Sequence, residues 1–225
     1  MKTMLVGLLS AVLALVCYNI YDFINNRWFK RKDFMKTVAD VNFSEEVGSF
    51  LWKISGGKVR QLLTYNKKGE EISGAGLEAL GIKDTVLGQI KEGLPADYLA
   101  FITEFDKKKQ HVGIIKSADK FAIVKTMQTQ SPKNNMSNSK LISELRTLDK
   151  KYPFKISGAG QDWVELFFEN LPEDTGGIVD TAKQLCPLSE TSETMDEDLK
   201  TNRKLFLWWQ EDREETSNLS RTEKK

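Results

Sequence analysis

The 225-residue chain has few cysteines, histidines and prolines: it contains two cysteines, one histidine and five prolines. A disulfide scaffold and a collagen-like chain are therefore excluded. Cys17 lies in an apolar stretch near the amino terminus, so Cys186 has no disulfide partner in the rest of the chain. A nucleophilic cysteine needs a basic partner, and His111 is the sole histidine, so we expect Cys186 to be a buried structural residue.

An excess of charge of one sign is also lacking, because 33 Lys and Arg stand against 32 Asp and Glu. A protein that binds nucleic acid normally carries a basic excess, so we expect no nucleic-acid partner. The sequence shows no cysteine and histidine cluster at metal-ligand spacing and no evident nucleophile–histidine–acid set. We therefore expect no metal and no cofactor, and we lean towards a protein without catalytic activity.

Long apolar runs are confined to the amino terminus, where Met4–Val16 contains no charged residue. The longer stretch Met4–Ile24 is just long enough to span a bilayer, which takes about 20 mostly apolar residues in a helix. Basic residues cluster directly after it, in residues 27–32, and the positive-inside rule then places the remainder in the cytoplasm. We expect a single-pass anchor, with the lipid bilayer as one partner. A cleaved signal peptide followed by export is the alternative, although Val16 fits a cleavage site poorly.

The chain divides into four parts. Residues 1–32 form the predicted anchor and its basic flank. Residues 33–97 form an amino-terminal α+β region of the globular part. Residues 98–210 form a second α+β domain, whose bounds are those of the family resemblance given below. Residues 211–225 are polar, with Leu219 as the one large aliphatic residue, and we expect a disordered tail.

In the globular part, the spacing of apolar residues predicts strands and helices in alternation. Residues 98–103 and 111–115 predict a hairpin, and residues 77–93 are interpreted as weakly helical. The clearest helix has Asn138 or Ser139 as its predicted N-cap and one apolar face, formed by Leu141, Ile142, Leu145 and Leu148. The run Leu205–Trp209 is apolar on both strand faces, which is typical of an interior strand. These patterns predict an α+β fold with a mainly antiparallel sheet, helices packed on one face, and the transmembrane helix in front.

Several polar and aromatic residues form a candidate pocket. Carboxylates near one predicted strand suggest a site, although solvated acids at a strand edge are the more common case. Tryptophans near the carboxyl end offer stacking surfaces, although core packing is the more common role for them. The candidate pocket consists of Asp119, Thr129, Asn134, Asp162, Trp163, Glu165 and Trp209.

Ordered motifs in the second half resemble a bacterial family. They are the run Tyr152–Glu165 (YPFKISGAGQDWVE), the pair Cys186-Pro187 and the run Leu207–Trp209. Over roughly residues 98–210, the chain resembles the family known as domain of unknown function 4253. The resemblance implies a bacterial source, hence an inner membrane for the predicted anchor, and it implies no particular activity.

Two departures from the family pattern bear on function. Leu188 follows Cys186-Pro187 and Gln210 follows Trp209, where family members typically carry aspartates. If those aspartates form a carboxylate site in relatives, the resemblance implies that this chain lacks it. That loss favours a binding role over acid–base or metal chemistry.

Three functions stay open at this point. The leading hypothesis is a membrane-anchored binding or regulatory module without catalysis, which would act on a protein partner. A toxin-neutralising immunity-type protein is the second. A hydrolase or nucleotide-related enzyme whose site the sequence does not reveal is the third.

Overall fold

The computed structural model describes residues 30–66, 68–106, 109–131, 135–187 and 192–209. The predicted anchor Met4–Ile24 and the polar tail 211–225 lie outside the described residues. Within these ranges, no helix is both long enough and apolar enough to cross a bilayer.

The described residues contain seven helices and seven strands. The helices are α1 (helical over the described residues 30–40), α2 (Glu45–Ile54), α3 (Asp84–Gly93), α4 (Ala122–Met127), α5 (Asn138–Lys151), α6 (Gly176–Leu185) and α7 (Ser192–Asn202). The strands are β1 (Val59–Tyr65), β2 (Glu71–Ile82), β3 (Tyr98–Asp106), β4 (Lys109–Lys116), β5 (Lys155–Ala159), β6 (Trp163–Phe167) and β7 (Lys204–Trp208).

All seven strands join one sheet in the order β1-β2-β4-β3-β5-β6-β7. Every neighbouring pair is antiparallel except β3 and β5, which run parallel with Ile102 opposite Gly158. The expected α+β class and the mainly antiparallel pairing are confirmed, and the parallel pair makes the sheet mixed. The predicted hairpin is confirmed as β3 and β4.

The helices cover both faces of the sheet, so the expectation of helices on one face is wrong. Strand β4 shows why, because successive side chains of a strand point to opposite faces. Val112 and Ile114 lie in one core with α1, α2 and α3, whereas Ile115 lies in a second core with α4 to α7. A strand buried on both faces is apolar at successive positions, as Ile114 and Ile115 are.

The first core forms around α2. Ser44 caps this helix, its side chain accepting a hydrogen bond from the backbone N–H of Val47, and acidic residues occupy the first turn. Val47 and Leu51 are buried on its inner face, against Leu77 of β2 and Ile90 of α3. These contacts place α3 along the sheet near β3 and β4.

The second core forms around α5, which confirms the clearest helix of the sequence. Leu141, Leu145 and Leu148 are buried on one face. The N-cap is Ser137, one residue earlier than expected. Asn138 instead donates hydrogen bonds to the carbonyls of Val124 and Thr129, at 2.9 and 3.0 Å, and so ties α5 to the end of α4.

Two sequence interpretations of single elements are wrong. Residues up to Ile82 belong to strand β2, and helix α3 begins only at Asp84, because Leu77 and Ala79 alternate into the first core. Strand β7 lies at the end of the sheet, where Phe206 and Trp208 are 41% and 47% exposed. It is therefore an edge strand with one covered face.

Candidate functional site

The backbone of Gly158-Ala159-Gly160, just before β6, forms the surface on which the Trp163 indole lies, and we call it the glycine seat. A Cβ at Gly158 would lie 2.8 Å from Cζ3 of Trp163, and one at Gly160 would overlap its Nε1. The indole also stacks on Phe206, with ring centroids 5.4 Å apart. Glycine is required because no other residue lets the ring lie this close to the backbone. The ring is therefore fixed on the outer face of β6 and β7.

The turn 160–162 that carries this seat is tied down on two sides. The hydroxyl of buried Thr129 donates to the carbonyl of Gly160 at 2.6 Å. On the other side, the backbone N–H of Trp209 donates to the carbonyl of Asp162 at 2.8 Å. The turn is thus held between the end of α4 and the end of β7.

A cavity of about 360 Å³ opens beside this turn, and we call it the aromatic cavity. Three aromatic residues and several polar and charged residues line it. They include Tyr65, Trp163, Trp208, Arg60, Glu71, Glu78, Thr103, Glu104 and Asp162. The charged lining comprises four carboxylates and one guanidinium.

The buried carboxylate of the aromatic cavity is Glu78 on β2. Its Oε2 accepts from Nε of Arg60 at 2.6 Å, and its Oε1 accepts from the hydroxyl of Thr103 at 2.6 Å. Both oxygens are therefore engaged, and the side chain is only 4% exposed. A buried carboxylate is stable only when paired in this way.

A second and larger cavity, of about 610 Å³, lies where β3 and β5 diverge, and we call it the lysine cleft. Over the described residues of these two strands, the register is limited to Ile102 opposite Gly158, so the sheet is open beside that pair. Helix α3 forms one wall. The lining includes Asp84, Leu87, Lys91, Leu94, Ala100, Ile102, Lys120, Lys155, Ile156, Ser157, Glu165, Phe167 and Lys204.

Glu165 is the buried carboxylate of the lysine cleft, with a side chain 8% exposed. Its Oε1 accepts from the hydroxyl of Ser157 at 2.6 Å. Nζ of Lys204 donates to both of its oxygens at 3.1 Å. Glu165 thus has one basic and one hydroxyl partner, as Glu78 has.

Lys91 on α3 faces this group from the opposite wall of the lysine cleft. Partial burial lowers the pKa of Lys91 below its ordinary value. Glu165 acts against that effect, whereas Lys204 and Lys155 lower the pKa further. Among the described residues, Lys91 has no ion pair.

The structure brings four of the seven predicted pocket residues to the turn 160–162. Asp162 and Trp163 line the aromatic cavity, and Thr129 and Trp209 hold the turn in place. Trp209 is itself buried, and its indole N–H donates to the carbonyl of Leu185 at 2.7 Å. Its role is therefore packing, not stacking on a ligand.

The other three predicted residues lie elsewhere. Glu165 belongs to the lysine cleft. Asp119 is half-exposed at the start of α4 and pairs with Arg146 at 2.5 Å, so it lines neither cavity. Asn134 lies outside the described residues. Leu188 and Gln210, the two departures from the family pattern, also lie outside them.

Sequence reasoning missed most of the lining residues. Glu78 had a usable signal, because an acid between Leu77 and Ala79 in an apolar stretch indicates a buried carboxylate with a partner. Arg60 and Lys91 had none, because charged residues at a strand start or on a helix are ordinary surface features. Cys186 is buried as expected, and its thiol donates to the carbonyl of Trp208.

The described part of the chain offers no group of three or more His, Cys, Asp or Glu side chains placed to hold a metal ion. The carboxylates of the aromatic cavity are therefore dispersed around its walls.

These residues define a mixed α+β protein whose aromatic cavity and lysine cleft both have the size of ligand pockets. A sequence model of the family described as "Domain of unknown function (DUF4253)" matches residues 111–210, so this segment carries that domain and the resemblance is confirmed over it. No curated protein matches the chain, and no solved structure does.

Proposed function

We propose that the protein is a non-catalytic binding module, held at a bacterial inner membrane by Met4–Ile24, with the aromatic cavity as its ligand site. The protein partner expected from the sequence stays a prediction. The proposal rests on how the cavity's buried carboxylate is occupied and on the chemistry of the cavity walls.

The observation that carries the proposal is that both carboxylate oxygens of Glu78 accept hydrogen bonds within the protein. A general base needs a carboxylate oxygen that can reach a substrate proton. Both oxygens of Glu78 are instead held at 2.6 Å by Arg60 and Thr103. Both contacts hold this carboxylate in place and Arg60 balances its charge, so we take Glu78 as a structural group of the cavity wall and not as a general base.

The lining favours a cationic ligand. Faces of Trp and Tyr attract an organic cation through the ring quadrupole, with about 0.5–2 kcal/mol for each good contact. Trp208 and Tyr65 supply ring faces. The Trp163 ring lies between the glycine backbone and Phe206, so it borders the cavity without a free face. The surrounding carboxylates add attraction for positive charge, and Arg60 is neutralised by its ion pair with Glu78. An alkylammonium group is the ligand that this combination fits best.

The ligand site is tested with tetramethylammonium as the probe and the full-length chain in zwitterionic lipid nanodiscs. We expect a saturable change in tryptophan fluorescence, and no such change with the neutral isostere tert-butanol. Trp208→Ala should abolish most of the response, because this exposed side chain forms one wall. The matched control is Trp52→Phe, which alters a tryptophan of the other core.

An equal tetramethylammonium response in Trp208→Ala and the unmodified chain would overturn the assignment of the site. Conversion of a bound amine into a product, detected by mass spectrometry and lost in Glu78→Gln, would overturn the non-catalytic role. Unchanged recovery of the amines is the expected result.

The proposed anchor is tested by cell fractionation. The full chain should stay in the membrane after an alkaline carbonate wash, whereas a chain lacking residues 4–24 should be released. A cytoplasmic reporter fused after Lys225 should be active, as the positive-inside rule predicts. Recovery of a soluble chain trimmed near residue 17 would support the exported alternative instead.

A further inference from the structure

The lysine cleft combines an apolar floor with a basic rim, and neither cation binding nor the aromatic cavity accounts for it. Apolar residues from α3, α4 and the strands contribute to its walls, among them Leu87, Leu94, Ala100, Ile102, Ile156 and Phe167. Four lysines but only two carboxylates line the same space. A cavity of this size with an apolar body and a few placed charges is the usual form of a small-molecule site.

Most of the charges in the lysine cleft already have partners. Lys204 is bound to Glu165, so the buried carboxylate does not repel an incoming anion. Lys155 pairs with Glu169 outside the cleft. Lys120 pairs with Asp149 at 2.5 Å and also donates to a backbone carbonyl.

Lys91 is the exception among these lysines. It has no ion pair among the residues the structure describes, and it projects from α3 beside the apolar floor. Asp84, the remaining carboxylate of the lining, lies seven residues earlier on the same helix. At 1.5 Å per residue, that separation is about 10 Å, so Asp84 is at the other end of the wall.

We propose that the lysine cleft is a second ligand site, which takes a small anion with an apolar body, such as a medium-chain carboxylate. The ammonium of Lys91 binds the anionic group. The aliphatic part lies on the floor between α3 and strands β3 and β5. The site is separate from the aromatic cavity, which selects the opposite charge.

An anion with an apolar body supplies a negative charge for Lys91 and a cover for the apolar floor of the lysine cleft. Binding places an opposite charge next to the one lysine without a carboxylate partner, and it covers apolar surface that water otherwise contacts. Either part alone gives less. A short anion leaves the apolar floor in contact with water, and a neutral apolar molecule leaves Lys91 without an ion-pair partner.

The test uses the full-length chain in zwitterionic nanodiscs, with hexanoate as the probe. Lysine acylation by an amine-reactive ester, read by mass spectrometry, reports which lysines hexanoate protects. We expect protection of Lys91 and none of Lys83, which sits at the other end of α3 and does not line the cleft. Neither 1-hexanol nor acetate should protect Lys91 at the same concentration.

Calorimetric titration, with empty nanodiscs subtracted, then compares two matched variants. Lys91→Gln should weaken hexanoate binding about tenfold, which corresponds to the loss of one charge-assisted hydrogen bond. Lys83→Gln should leave binding unchanged. Ala100→Leu, which fills part of the floor, should weaken binding without altering the charge.

Three outcomes would overturn the proposal. Equal protection by 1-hexanol would mean that the charge is not recognised. Equal effects of Lys91→Gln and Lys83→Gln would mean that α3 attracts anions without a site. Protection of Lys91 by vesicles of anionic phospholipid, but not by hexanoate, would mean that the cleft meets a lipid surface and not a free ligand.

Discussion

The two halves of the sheet differ in how they are covered. Strands β3 and β4 contribute to both cores and have helices over both faces. Strands β6 and β7 bury one face against α6 and α7, while Phe206 and Trp208 stay exposed on the other. Side chains that fill space in the covered half therefore become cavity walls in the open half.

The same polar arrangement occurs in both halves. Each half holds one buried glutamate, Glu78 or Glu165, with one basic partner and one hydroxyl partner. The chemistry of the two pairs is alike, but their surroundings differ. Glu78 lies beneath aromatic rings and further acids, whereas Glu165 lies beside lysines and an apolar floor. Coverage and neighbours, more than residue type, set what each cavity can bind.

The difference between the two halves of the sheet is tested most strongly by truncating one large apolar residue in each half. Ile114→Ala removes a side chain that is fully buried in the covered half and should lower the free energy of unfolding by about 2–5 kcal/mol. Phe206→Ala removes a 41% exposed ring and should lower it by about 1 kcal/mol or less. Urea unfolding measures both. Equal losses would show that the outer face of β7 is covered in solution.

The glycine seat in the open half gives the next largest effect. Gly160→Ala should destabilise the protein by about 1–3 kcal/mol, because its Cβ would displace the Trp163 indole. Gly88→Ala in α3 is the matched control. No atom lies near its Cβ, so it should stabilise the helix by about 0.5–1 kcal/mol. Thermal unfolding separates the two, and a neutral Gly160→Ala would contradict the seat.

The two glutamate pairs allow a closer comparison. Lys204→Met and Arg60→Met each leave a buried carboxylate without its cation, and each should cost about 1–2 kcal/mol, because both basic side chains are 43% exposed. Adding Glu165→Gln to Lys204→Met should recover part of the loss. A double-mutant cycle by urea unfolding measures this coupling. Strictly additive effects would mean that the pair contributes nothing.

The smallest effect concerns Lys91. Its pKa is lowered in the folded protein, so the charged form disfavours folding. That penalty is fully present below the folded-state pKa and disappears as pH rises through it towards 10.5. Lys91→Met should therefore raise the free energy of unfolding at neutral pH and show no gain at high pH. The gain should stay within about 0.5 kcal/mol, because solvent still reaches much of this partly buried side chain. A gain that grows with pH would contradict the sign.

The local sequence pattern correctly predicted those elements whose defining features lie within a few neighbouring residues. Helix α5 has its apolar stripe at helical spacing and polar residues at its start. The sequence of the hairpin of β3 and β4 has charged residues between two apolar runs. The interpretation of β7 failed for a physical reason. A strand that is apolar at every position fits an interior strand, but it also fits an edge strand whose outer aromatic residues line a cavity.

The candidate site was predictable only in part. Trp163 and Asp162 belong to the pocket predicted from the sequence, and both line the aromatic cavity. Arg60, Thr103 and Lys91 could not be selected in the same way. Their roles depend on partners that are distant in the chain. The pattern of a short sequence segment does not include those partners.

By itself, the sequence determined the α+β class, the polar end and the apolar start of the chain, because composition and periodicity act over short stretches. It also determined the family segment through ordered motifs. Only the tertiary structure decided that helices cover both faces, that β3 and β5 diverge, and that each buried glutamate meets its partners. Those outcomes depend on which strands become neighbours, and that choice is made by packing between residues distant in the chain.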